Sequence, residues 1–195
     1  VLLHLIASID PTVPVLFLDT GKHFLETITY RKDLRSNLGL LDVRILTPDP
    51  KLLQQKDETG LRWSYDPDGC CKIRKVLPLN AALAGFDAQF TGRKAFQSST
   101  RRALPRFEIE NGRLKVNPLA DWDQPKIDAY MAEHALPAHP LVELGYPSIG
   151  CSPCTTKVAP GEDPRSGRWK GWDKVECGIH NAVTPIGDGS DDPIF

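Results

Sequence analysis

Short apolar runs bounded by turn residues alternate, through the first half of the chain, with stretches in which apolar residues recur every three or four positions. That is the pattern of strands interleaved with helices. Leu2, Leu5, Ile6 and Ile9 stand at helical spacing, residues 14–18 form a short apolar strand, and Asp19-Thr20-Gly21 follows it. Residues 24–38 predict a helix with Phe24, Thr27, Ile28, Leu34 and Leu38 near one face and Gly39 as its stop. A second strand is expected over residues 42–46. Strand, helix and strand joined by short connections imply an α/β fold with a doubly wound, mostly parallel sheet. Ligands of such sheets sit beyond the carboxyl ends of the strands, where Asp19-Thr20-Gly21 lies. Because a helix precedes the first strand, the expectation is a fragment whose earlier strand and loop lie outside this sequence.

Further on, residues 51–58 read as helical, and a turn at Asp66-Pro67-Asp68-Gly69 precedes a helix that starts with Cys70-Cys71 and runs to about Leu77. A strand over residues 88–91 enters a basic loop containing Arg93, Arg101 and Arg102. Residues 107–116 predict a hairpin of structural role, since Asn111-Gly112 suits a tight primed turn. A helix is expected from Asp123 or Gln124 to about His134, with Pro125 in its first turn and Ile127, Tyr130 and Met131 turned inward. Beyond Pro137 the chain is rich in Pro and Gly, yet it holds three cysteines, which favours function over disorder up to His180. One catalytic domain over residues 1–180 and a disordered acidic tail over 181–195 follow from this reading.

Charge narrows the choice of partners. With 24 Lys and Arg against 25 Asp and Glu, the net charge is −1 and there is no general field for a nucleic acid, so an anionic ligand must meet a local basic cluster. No apolar run approaches the length of a membrane helix, and the opening residues lack a basic leader. An odd cysteine count with closely spaced pairs points to a reducing compartment, the cytoplasm by default.

Those five cysteines divide into Cys70-Cys71, Cys151-x-x-Cys154 and a lone Cys177. Four thiolates are a metal-ligand complement. Adjacent cysteines splay their side chains and strain a single tetrahedral ion, whereas a cubane offers each sulfur its own iron, so a 4Fe-4S cluster stands ahead of zinc. A disulfide or four inert thiols remain the alternatives. Lys75, one helical turn after Cys71, could offset a cluster's charge, contact an anion or lie solvated on the surface.

Cys177 sits in Lys-Val-Glu-Cys-Gly-Ile-His, with Lys174 and His180 three residues to either side. Positive charge and a neighbouring glycine favour an exposed nucleophilic thiolate, although Glu176 opposes it and a lone cysteine is more often a buried hydrophobe. Arg93 with Arg101 and Arg102, and Arg165 with Arg168, are candidate cradles for a phosphate or sulfate group, or else surface arginines.

In combination, Cys70-Cys71 with Lys75, the loop from Thr91 to Arg101, Cys151-x-x-Cys154, Arg165-x-x-Arg168 and Glu176-Cys177-Gly178-x-His180 resemble the assimilatory adenylylsulfate reductases. The likeness runs from about Leu18 to His180. It implies an adenine-nucleotide alpha-hydrolase-like fold that binds adenosine 5'-phosphosulfate and carries a 4Fe-4S cluster on Cys70, Cys71, Cys151 and Cys154. By the same resemblance Cys177 attacks the substrate sulfur, AMP leaves, and thioredoxin or a glutaredoxin releases sulfite from the Cys-S-sulfonate. Asp19, Thr20, Gly21, Arg93 and Arg101 match positions near the nucleotide, while Lys75, Arg165, Arg168 and His180 match positions near the phosphosulfate. The related phosphoadenylylsulfate reductases share the Glu-Cys-Gly-x-His ending and typically lack the four cluster cysteines. A metal-stabilised nucleotide-binding module without redox chemistry is the alternative from another class, and a homo-oligomer is compatible with the sequence. The family's phosphate loop is absent, so weak nucleotide binding is expected of this stretch alone. Ile179 replaces a common Leu, and the tail lacks a Cys-x-x-Cys of its own, which calls for an external reductant.

Overall fold

The computed structural model describes residues 1–97 and 101–180; the acidic tail over 181–195 lies outside the described residues. The expected α/β order is present as α1 (Leu2–Ala7), β1 (Val15–Leu18), α2 (Leu25–Asn37), β2 (Val43–Leu46) and α3 (Pro50–Lys56). Its last part comprises β3 (Ala88–Phe90), β4 (Phe107–Glu110), β5 (Arg113–Val116) and α6 (Gln124–Glu133). Helix starts follow local chemistry. The Asp49 carboxylate accepts from the Lys51 and Leu52 amides ahead of α3, and Asp123 accepts from Lys126 ahead of α6, each with proline in the first turn.

The central helix departs from expectation at both ends. Asp66-Pro67 is a helix start, with the Asp66 carboxylate accepting from the Gly69 amide at 2.8 Å, so α4 spans Pro67–Cys71 and the cysteine pair closes its last turn. The chain then widens into a π turn over Lys72–Val76 and resumes as α5 (Leu77–Leu83). Pro78 supplies the reason: it has no N–H to give the Arg74 carbonyl, and the ladder just before it opens.

β1 pairs parallel with β2, while β5 pairs parallel with β3 and antiparallel with β4. Parallel pairing holds, but the described strands make a two-stranded and a three-stranded sheet. Between β1 and β3 lies an apolar slot of about 420 Å³, walled by Leu16, Leu18 and Phe90 from the strands, Leu2 and Ile6 from α1 and Leu83 from α5. No described strand crosses it. The β4–β5 hairpin turns on Asn111 and Gly112, both at positive φ (53° and 75°), the conformation a primed turn requires. The buried core gathers Leu40, Ile73, Leu83, Leu119, Ile127 and Leu141.

Candidate active site

Thr20, at the end of β1, joins the segments that carry the four paired cysteines. It is fully buried; its hydroxyl lies 3.3 Å from Cys151 Sγ and its carbonyl accepts from Arg74 Nη1 at 2.8 Å. Arg74 projects from the π turn just after Cys71 and forms a buried ion pair with Asp57, at 2.6 Å from Nη2 and 3.0 Å from Nε. The Ser152 amide donates to the Lys22 carbonyl at 2.7 Å, and His23 bridges to Cys151. The π turn, through Thr20, and the Cys151–Cys154 loop, through Thr20, Lys22 and His23, are thereby tied to one short stretch after β1. Asp19 accepts from the Gly21 amide at 3.0 Å, and Gly21 takes a positive φ of 68°. Asp19, Thr20 and Gly21 thus lie beside the cysteine segments and outside the cavity around Cys177.

All five thiols are free. Burial first, then the neighbouring Cys71, pushes the Cys70 thiol up to about 11, and burial raises Cys71 and Cys154 as well. Cys151 acts electrostatically on Cys70, Cys71 and Cys154, which places the four in one neighbourhood. Among the described residues no group of three or more His, Cys, Asp or Glu side chains converges to hold a metal ion. The donor set nonetheless suits an iron–sulfur cluster chemically, because four unpaired thiols share one region with cations beside them. Burial pulls Lys75 down, but Cys151, Cys71 and Cys177 outweigh it and the net direction is up. Arg168 is pulled down by burial and by Arg165, against the opposing pull of Cys177, Cys151 and Cys154. Its guanidinium stacks 4.4 Å from the Trp169 ring, and its Nε has no hydrogen-bond partner among the described residues.

On the other side, Cys177 shares a cavity of about 390 Å³ with Arg93, Arg101, Glu176, Gly178 and His180. Arg93 is braced by Glu108 and by Asn117 Oδ1 at 3.2 Å. Glu108 comes from β4, so the hairpin does more than close the sheet. Arg101 Nη2 lies 2.7 Å from Glu176, whose second oxygen is 3.4 Å from Arg165 Nη2. Arg102 is exposed. Burial, then Arg93, Lys115 and Arg101, drives His180 down to about 3, so it is a neutral imidazole at physiological pH. Lys174 pairs with Asp68 and lies 5.3 Å from the Trp169 ring, tethering the Cys177 segment to α4.

Residues far apart in the sequence therefore meet. Arg93, Arg101, His180 and Cys177 line one cavity, Arg165 reaches it through Glu176, and Lys75 and Arg168 act on Cys177 from the cysteine side. Sequence reasoning missed Arg74, Asp57, Glu108 and Lys115. Only the last two had a readable signal: an Asn-Gly hairpin in this register sets Glu108 opposite Lys115, an opposite-charge pair on one face.

Fold and site together define an α/β domain that presents a half-buried thiol to a cationic cavity. The sequence profile of the phosphoadenosine phosphosulfate reductase domain matches residues 1–157, and the chain belongs to that family. It is similar to the adenosine 5'-phosphosulfate reductase of Mesorhizobium japonicum, 54% identical over 180 residues that cover 92% of this chain and 71% of the relative. The enzyme of the same name from Rhodococcus opacus is 43% identical over 182 residues, covering 92% and 74%. Among solved structures, the phosphoadenylyl-sulfate reductase of Candida auris, in complex with phosphate, superposes with a TM-score of 0.66 at 30% identity, covering 80% of this chain and 76% of that one. No described helix is long and apolar enough to cross a membrane.

Proposed function

We propose that this protein reduces adenosine 5'-phosphosulfate to sulfite and AMP. The observation that carries the reading is the sharing of one cavity by the Cys177 thiol and the cations Arg93 and Arg101, with His180 on its wall. A thiolate approaching a sulfate that is already anionic needs fixed positive charge on the nonbridging oxygens, and Arg101, Arg165, Arg168 and Lys75 surround the thiol from both sides. Neutral His180 donates or accepts a hydrogen bond there without adding charge. In the first step the Cys177 sulfur forms a bond to the substrate sulfur as the S–O bond to phosphate breaks, and the electron pair leaves with AMP. In the second, a thiolate of reduced thioredoxin or glutaredoxin attacks the Cys177 sulfur, and sulfite departs with the bonding pair. The reductant's second thiol then closes its disulfide and restores Cys177. The five free thiols suit a reducing compartment such as the cytoplasm.

Cys70, Cys71, Cys151 and Cys154 are the residues that would hold a 4Fe-4S cluster, whose contribution beside Lys75 and Arg168 is electrostatic. Anaerobically purified protein should contain four irons per chain by this reading (about four, a cubane's complement), and a single zinc overturns the cluster assignment. The function is tested by sulfite release from adenosine 5'-phosphosulfate with reduced thioredoxin. Cys177→Ser should release none, and a serine variant that still does refutes the nucleophile. The likeness to the Candida auris structure favours a second reading, phosphoadenylylsulfate as substrate. The ratio of initial rates on the two nucleotides decides between them.

A further inference from the structure

Glu176 precedes the thiol that does the chemistry and puts a negative charge where an anionic substrate must arrive. Its contacts are poor ones. Oε1 lies 2.7 Å from Arg101 Nη2 but accepts no well-directed hydrogen bond, and Oε2 stands 3.4 Å from Arg165 Nη2. The same Nη2 gives its short bond, 2.6 Å, to the backbone carbonyl of Val175. One carboxylate therefore half-satisfies two guanidiniums, whereas Arg93, the third arginine of the site, is already committed to Glu108 and Asn117.

A sulfate or phosphate group has three outward oxygens and can give an arginine two parallel bonds, so it is the better partner for both. Glu176 is also part of the segment it holds down. Lys174 anchors that segment to Asp68 on the near side, and Gly178, at a positive φ of 81°, follows the thiol. A Cβ on Gly178 would sit 3.6 Å from Val76 Cγ2, so the glycine turns against the π turn.

We propose that Glu176 is an internal stand-in for the substrate anion. With the site empty it occupies Arg101 and Arg165 and keeps the Cys177 segment docked; an entering sulfate-bearing anion takes both arginines, and the segment, released from its carboxylate, is free to bring the thiol onto the anion and later to offer it to a reductant. The inference rests on the proposed function for the identity of that anion and for the role of Cys177. Glu176 is a positioning residue in this scheme, since it acts through the arginines.

The test is the rate at which iodoacetamide alkylates Cys177 in the full chain, resolved from the other four thiols by peptide mass spectrometry. It is read on the high-pH plateau, where the thiol is fully ionised and removing a neighbouring charge cannot raise the thiolate fraction. Sodium sulfate is compared with sodium chloride at equal ionic strength. The wild type should react slowly in chloride and about fivefold faster in sulfate, the size of effect that follows from losing a partly buried ion pair. Glu176→Gln should react about fivefold faster in chloride and respond little to sulfate. Glu176→Asp, which keeps the charge on a shorter arm, should fall between, and Arg165→Gln provides an independent release from the other partner. Equal rates in the wild type and both neutral variants, or slowing of the wild type by sulfate, overturn the proposal. Sulfite formation is scored separately: sulfite with an indifferent Cys177 sinks the latch alone, and a sulfate-responsive Cys177 without sulfite sinks the substrate assignment alone.

Discussion

Replacing Arg74 with Met should destabilise the protein more than replacing any of the arginines around Cys177. The Asp57 carboxylate is fully buried and the Arg74 side chain is 8% exposed, so each charge depends on the other. The substitution removes two hydrogen bonds to Asp57 and the one to the Thr20 carbonyl, leaving Asp57 with the Arg62 amide at 2.8 Å. Breaking a buried pair from one side typically costs about 3–5 kcal/mol, because the survivor is left charged and uncompensated. Against a total of about 5–15 kcal/mol for a domain, that is about a fifth of the stability or more. Urea titration of the reduced protein by far-UV circular dichroism measures it. The double variant Arg74→Met/Asp57→Asn restores neutrality and should recover about half of the loss or more. A single-variant cost under about 1 kcal/mol, the range of an exposed pair, would refute the claim that Arg74 clamps the π turn to Asp57 and to Thr20 after β1.

Four further outcomes follow from the geometry. His180 is depressed to about 3, so the folded state binds fewer protons than the unfolded one as pH falls from about 6.5; stability should decline with acid by up to about 1.4 kcal/mol per pH unit through that window, and His180→Asn should flatten the slope of the urea midpoint against pH. Gly150→Ala places a Cβ on the Arg168 guanidinium, a movable side-chain end, and should lower sulfite release about tenfold or more while shifting the urea midpoint little. Gly167→Ala places its Cβ on the Thr156 carbonyl, a backbone atom, and against Val158 Cγ2, and should cost about 1–3 kcal/mol by the same titration. Glu108→Gln frees Arg93 from its brace and should raise KM for the nucleotide with a smaller change in kcat, as loss of uniform binding does.

Local chemistry was enough for much of this molecule. Apolar periodicity located α2 and α6, proline and acidic caps began α3 and α6, and an Asn-Gly pair set the hairpin register without help from distant residues. Cysteine spacing and the arginines around it pointed to the candidate site, because thiols and guanidiniums are rare enough in such company to carry meaning before they are folded together. Even the miss at Asp66-Pro67 was local: the cap and proline that begin a helix also begin a turn, and only the hydrogen bond from Gly69 distinguishes them. What no reading along the chain could supply is the meeting of parts far apart in number. Thr20 contacts Cys151, Arg74 finds Asp57, and Glu176 lies between Arg101 and Arg165 only because packing pairs one specific carboxylate or sulfur with one specific partner out of many alike. Side-chain identity announces which groups can react. Which of them face each other, and which are already satisfied, is set by burial and by the few places where the folded backbone lets two charges touch.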